Sequence, residues 1–176
     1  MKTCLVGCGG IAAVHGSVLT SDIDTEFVAA ADIKPKKAQT YAENFHTKPY
    51  PSLESMLEAE KPDVLHICTP HYLHVPMAIY SLERNINVFM EKPPAISFDQ
   101  LEELKKAAAK SEAQLGFCYQ NRYNASIRAA KDLIDSGKAG KVLGARAFVT
   151  WCRGAAYYTE SGWRGSLKTE GGGVLI

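Results

Sequence analysis

The chain has 176 residues, 46% hydrophobic and 22% charged, with a formal net charge of +1. That length suits one ordinary domain, or one domain and part of a second, with enough apolar residues for a buried core. So small a net charge offers no field for nucleic acid or for an anionic membrane, so the expected partner is a small molecule.

The first residues pass straight into a strand pattern, with no charged region and apolar leader before it, and no run approaches the roughly 18 apolar residues of a membrane span. The cytoplasm is the expected compartment. Cys4, Cys8, Cys68, Cys118 and Cys152 are scattered without a CxxC pair, which favours reduced, mostly buried thiols over a disulfide or metal framework.

Short apolar, β-rich runs alternate with helical patterns over the first two thirds of the chain. Strands are expected at Lys2 to Val6, Glu26 to Ala31, Val64 to Cys68, Asn87 to Met90 and Gln114 to Tyr119. Their near-continuous apolar character is that of a parallel sheet covered on both faces, built from βαβ units. Pro35 suits the first position of a helix over Lys36 to Asn44. Ser97 and Gln100 form a capping box for Phe98 to Ser111, whose Phe98, Leu101, Leu104 and Ala108 have the spacing of one buried stripe. A further helix runs from about Ala125 to Ser136 and stops at Gly137. After Gly140 the pattern changes: Lys141 to Arg153 is a long run of β-formers that reads as the first strand of a different, antiparallel sheet. The expected division is therefore 1–120 and 121–176, the second part being the beginning of another domain.

The stretch CLVGCGGIAAVHGSVL reads strand, tight turn, helix, and contains Gly7-x-Gly9-x-x-Ala12. Gly7 permits the sharp turn, Gly9 leaves room for a pyrophosphate, and Ala12 lets helix and strand pack closely. The helix N-terminus supplies free N–H groups and a favourable dipole for phosphates. Asp32 ends the second strand, where an acid accepts both ribose hydroxyls of an adenosine and repels a 2′-phosphate. NAD is favoured, and Lys34, Lys36 and Lys37 keep NADP as an alternative. The same turn also serves S-adenosylmethionine enzymes, so redox chemistry does not follow from it alone.

Ligands of open α/β sheets lie beyond the carboxyl ends of the strands. The strand DVLHIC ends in Thr69-Pro70-His71, with His74 three residues on, and NVFM ends in Glu91-Lys92-Pro93-Pro94. His71 and His74 lack a third metal ligand nearby in sequence, so no metal is expected, and a loop packed on the dinucleotide competes with a solvated helix start. A Glu-Lys pair after apolar strand residues is expected to be partly desolvated, which lowers a lysine pKa and fits it for proton transfer or for polarising a carbonyl. The competing reading is a surface ion pair of little energetic weight. Two prolines freeze the turn, and an X-Pro bond there is a candidate for the cis form.

Together GCGGIAAVH, AADIKPKKA, DVLHICTPHYLHVPMA, VFMEKPPA, GFCYQNRYNASIRAAKDLIDSGKAGKV and WRGSLKTEGGGVLI resemble the Gfo/Idh/MocA oxidoreductases, relatives of glucose-fructose oxidoreductase and inositol dehydrogenase that use NAD(P) on sugars and cyclic polyols. The resemblance implies a doubly wound Rossmann sheet, then the start of an α/β domain with an open antiparallel sheet that carries subunit contacts, so a longer parent would be a homo-oligomer. Residue by residue it implies cofactor contacts from Gly7, Gly9, Gly10, Ile11, Ala12, Asp32, Ile33, Thr69, Pro70, His71, His74, Glu91, Lys92 and Pro93. Lys92 would contact the reacting hydroxyl as the catalytic residue, and Asn121, Arg122, Trp163 and Arg164 would stand on the substrate side. In the family the glycine stretch at 171–173 introduces a helix bearing a proton-transferring histidine, and family members are about twice as long. A truncated, non-catalytic NAD(P)-binding fragment or a redox-sensing module is therefore the alternative reading.

Overall fold

The computed structural model describes residues 1–172. The chain falls into two compact units: Met1–Cys118 together with the described residues from Trp163 onward, and Tyr119–Gly162. The expected lead-in to a further helix at Val174 to Ile176 lies outside the described residues.

The first unit is a six-stranded parallel sheet in the order β3-β2-β1-β4-β5-β6. The strands are β1 (Lys2–Val6), β2 (Glu26–Ala31), β3 (Lys48–Tyr50), β4 (Val64–Ile67), β5 (Asn87–Glu91) and β6 (Leu115–Cys118). Its helices are α1 (Gly10–Ser21), α2 (Pro35–Phe45), α3 (Leu53–Glu60), α4 (His74–Leu82) and α5 (Phe98–Lys110). This is the doubly wound dinucleotide-binding order, in which the chain reverses direction between β1 and β4 and opens a crevice there.

Alternation along the strands splits the core. Cys4, Val6, Ala29, Ala31, Leu65, Ile67, Val88 and Met90 face α3, α4 and α5 in one cluster. Leu5 and Ala30 face α1 and α2 in the other, with Ala12 and Tyr41. Each fully buried aliphatic side chain of this kind contributes roughly 1.5–3 kcal/mol. The close seating of α1 depends on Gly16, where a Cβ would fall 2.5 Å from the Tyr41 hydroxyl and 2.8 Å from the Phe45 ring. The Tyr41 hydroxyl in turn donates to the Ala12 carbonyl at 2.7 Å.

Three local expectations need correction. Phe98 is 86% exposed, and the buried contribution of α5 comes from Leu104; Phe98 begins its helix, before α5 has come down onto the sheet. Ser97 does cap α5 by accepting from the Gln100 N–H, but the Gln100 side chain accepts from Ile96 N–H, one residue before the N-cap, so the box is not reciprocal. Lys141 to Arg153 forms no hydrogen-bonded strand in the second unit, since a β-rich segment becomes a strand only when another strand satisfies its backbone. That unit contains α6 (Ala125–Asp135) and the single turn α7 (Ala155–Thr159). An open antiparallel sheet is not present among the described residues.

Candidate functional site at the carboxyl rim of the sheet

Register aligns the strand ends. Val6 is level with Ala31 and with Ile67, Ile67 with Met90, and Glu91 with Cys118. The residues that follow, Gly7, Asp32, Cys68 and Thr69, and Lys92, therefore stand along one rim.

At the reversal point Gly7 has φ +93 and packs against the backbone of Cys68 and Thr69, where a Cβ would meet atoms at 2.7–2.8 Å. Only glycine satisfies both conditions. Gly9 and Gly10 face open space, with no atom within 4 Å of a built Cβ. Gly9 is the N-cap of α1 and supplies no side-chain acceptor, so the first amides of the helix, at Gly10, Ile11 and Ala12, are left for an incoming anion. Asp32 is tied to this turn: its Oδ2 accepts from Cys8 N–H at 3.0 Å and its Oδ1 from Lys34 N–H at 2.8 Å. Ile33 beside it is 79% exposed. The Thr69 hydroxyl, just beyond the end of β4, is buried without a hydrogen-bond partner. A glycine turn with room over it, uncapped helix amides, an acid at the β2 end and an orphan hydroxyl fit a dinucleotide.

The loop after β4 is held by its histidines. His74 is fully buried, with Nδ1 2.8 Å from the Pro93 carbonyl and Nε2 3.0 Å from the Thr69 carbonyl. Burial outweighs these two acceptors and holds its pKa below the ordinary histidine value. A neutral ring has one N–H, so it ties one of the two strand-end loops at a time. His71 donates Nδ1–H to the Glu170 carbonyl at 2.8 Å, and burial likewise holds it down, leaving Nε2 as an acceptor at neutral pH. The Trp163 ring lies 4.6 Å from the His71 ring, and the Arg164 guanidinium sits over Trp163 at 4.5 Å. Trp163 and Arg164 thus join the His71 side of the first unit. Asn121 and Arg122 belong to the second unit, as exposed residues of a 3-10 turn.

Beyond β5, the Lys92–Pro93 bond is cis, one of the expected candidates. The competing reading of a Glu91–Lys92 ion pair does not hold, since Glu91 pairs with His15 instead. Successive strand residues point to opposite faces, and Glu91 turns beneath α1, where its Oε1 meets His15 Nε2 at 3.0 Å. Burial pushes the Glu91 carboxyl up, but hydrogen bonds from His15 and the Cys118 thiol outweigh it and keep the group below the usual carboxylate value. His15 Nδ1 in turn lies 2.9 Å from His66 Nδ1. Sequence reasoning passed over His15 and His66. The signal was there: Ala12, His15, Gly16 and Leu19 form the buried stripe of α1, and His66 interrupts an otherwise apolar strand. The ligating atoms of His15, Glu91 and Cys118 lie within 4.8 Å of one another, and the hydrogen bonds just described account for that approach without an ion.

A family model described as an oxidoreductase family with an NAD-binding Rossmann fold matches residues 1–119. Over 180 residues the chain is 28% identical to D-glucoside 3-dehydrogenase of Escherichia coli (strain K12), covering 100% of this chain and 50% of that protein. The solved structure of the WlbA dehydrogenase of Chromobacterium violaceum, in complex with NADH and UDP-GlcNAcA, superposes with a TM-score of 0.88 at 31% identity, over 96% of this chain and 49% of that one. Myo-inositol 2-dehydrogenase of Lactobacillus plantarum gives a TM-score of 0.75 at 26% identity, over 81% of this chain and 43% of that one. The chain spans about half the length of the relatives it matches.

Proposed function

The chain belongs to the Gfo/Idh/MocA oxidoreductase family, and from that premise we propose that it is the cofactor-binding part of an NAD(P)-dependent dehydrogenase acting on a hydroxyl of a sugar or cyclic polyol. The observation that carries the reading is the alignment on one rim of the glycine turn, Asp32, the Thr69 to His74 loop and Lys92.

When bound, the dinucleotide supplies the nicotinamide ring that exchanges hydride with the carbinol carbon. Gly7 would shape the turn under the pyrophosphate, Gly9 and Gly10 would leave room for it, and the amides at Ile11 and Ala12 would hold it. Asp32 accepts the ribose hydroxyls and Ile33 borders the adenosine, which favours NAD, with NADP as the alternative. Thr69, Pro70, His71 and Pro93 would wall the nicotinamide half, and His74 and Glu91 would support that wall from behind. Lys92 would donate a hydrogen bond to the reacting oxygen and stabilise negative charge there. Asn121, Arg122, Trp163 and Arg164 are assigned to the substrate side. The domain division at 120/121 is part of this proposal, as are a second domain with an open antiparallel sheet, assembly into a homo-oligomer and a cytoplasmic location. The exposed Leu143, Phe148, Val149 and Trp151 support the second-domain reading, because a β-rich run with so much apolar surface is suited to a sheet.

The alternative reading is an NAD(P)-binding module without catalysis. Mixing the chain with NAD and a panel of aldoses and inositols, and following reduced nicotinamide, separates the two. Turnover supports the dehydrogenase in this chain itself; cofactor binding without turnover supports the module, and neither binding nor turnover removes both.

A further inference from the structure

His15 and His66, which the proposed function leaves without a role, form a hydrogen-bonded line with Glu91 beneath α1. His15 is 7% exposed and Glu91 6% exposed. His15 Nε2 meets Glu91 Oε1 at 3.0 Å, and His15 Nδ1 meets His66 Nδ1 at 2.9 Å. Phe89 packs against both rings, with centroids 6.0 Å from His15 and 5.1 Å from His66. The other carboxylate oxygen of Glu91 accepts from Lys92 N–H at 3.3 Å.

Hydrogen-bond chemistry limits how the protons can lie on this line. An ionised carboxylate only accepts, so His15 must donate from Nε2. Where His15 is neutral its Nδ1 is bare, and the ring facing it at 2.9 Å donates. Burial and His15 hold His66 down at about 4, so at neutral pH it has one hydrogen, which the geometry puts on Nδ1. The line thus runs one way, from His66 through His15 to Glu91. Its outcome is a buried carboxylate supplied with N–H donors from α1 and from its own backbone, one residue before Lys92.

We propose that His15 is the positioning residue of the Glu91–Lys92 turn: His66 orders its ring, and its Nε2–H holds the Glu91 carboxylate so that Lys92 leaves β5 in one direction. The role of Lys92 rests on the reading above; the proton order does not. The ionisable groups facing Glu91 are His15 from α1, His74 from α4, Cys68 after β4, Cys118 from β6 and Lys92 next in the chain.

Nitrogen-15 spectra of histidine-labelled chain test the proton order directly. The proposal expects His15 as the Nε2–H tautomer and His66 as the Nδ1–H tautomer at neutral pH. A His15 ring bare at Nε2, or a His66 ring bare at Nδ1, overturns it. The consequence is tested by titrating NADH into His15→Leu and His15→Gln. Loss of a donor to a buried charge is expected to weaken binding about tenfold in His15→Leu and to move the acid limb of the affinity profile to higher pH. His15→Gln, which restores an N–H, should recover most of both. Equal affinities and unshifted limbs in all three proteins overturn the positioning role. Failure of the unsubstituted chain to bind NADH, with the histidine spectra as expected, would instead count against the cofactor reading.

Discussion

Gly7 and Cys68 approach so closely that a Cβ on Gly7 would lie 2.7 Å from the Cys68 carbonyl carbon, in a backbone conformation with φ +93. The contact joins the β1 turn to the end of β4 and shapes the floor of the crevice. Gly7→Ala should therefore destabilise the chain by about 2–4 kcal/mol, since it combines a left-handed strain with a backbone clash. Gly9→Val should differ in kind. No atom lies within 4 Å of a built Cβ there, so urea unfolding should change little while NADH affinity falls at least tenfold. Equal stability losses in the two variants would remove the distinction between a packing glycine and a ligand-clearance glycine.

Asp32 governs cofactor choice in this account. Its carboxylate already orders the turn through Cys8 N–H and the following residues through Lys34 N–H. Asp32→Ser keeps a short acceptor and removes the charge. Titration with both reduced cofactors should show NADH affinity falling and NADPH affinity rising relative to it. A fixed ratio of the two would show that Asp32 does not face the ribose.

Acid should destabilise the first unit in two stages. The His66 pKa in the folded chain is about 4, against an ordinary 6.5, through burial and then the neighbouring His15. Between those values the unfolded chain binds more protons, so stability rises with pH across that window and is lost on acidification, by on the order of 2 kcal/mol. Glu60 adds the second stage. Hydrogen bonds from Tyr50, Lys48 and Lys2 pull its carboxyl down to about 2, so its contribution is present above about 4.5 and disappears as pH falls toward 2. Thermal melts from pH 3 to 8 should show both slopes, and His66→Asn should flatten the upper one.

Thiol reactivity should separate the cysteines. Burial pushes Cys4 and Cys8 up to about 12, and Cys68 rises in the same direction. Cys152 is exposed and Cys118 half-buried. A disulfide reagent on the native chain should label Cys152 first, as read by mass spectrometry, and reach Cys4, Cys8 and Cys68 only on unfolding. Early labelling of Cys8 would mean that the glycine turn opens in solution.

Legibility followed burial. The strands β1, β2, β4, β5 and β6 are near-continuous apolar runs, and those inside the sheet are the most deeply buried, which is why the pattern finds them. The edge strand β3 escaped because Lys48, Pro49 and Tyr50 are neither apolar nor alternating; it exists because Ala29 to Ala31 offer it a ladder. Helix α3 was not read from the sequence, although Ser52 caps it by accepting from Ser55 N–H at 3.1 Å and Leu53, Met56 and Leu57 form its buried stripe. At the rim, the glycine turn and Asp32 could be read from local spacing. The partners of Glu91 could not, because a strand end does not say which helix will cross it: His15 is 76 residues away in the chain. The run Lys141 to Arg153 forms no strand among the described residues for the converse reason, since β propensity is a property of a segment and pairing is not.

The central claim is a dinucleotide site at the β1–β4 reversal, and calorimetric titration of the chain with NADH tests it most directly. The account predicts saturable binding at one site per chain, weakened at least tenfold by Gly9→Val in a protein that unfolds at the same urea concentration. No binding heat and no thermal shift at saturating NADH, in a chain shown to be folded, would contradict it.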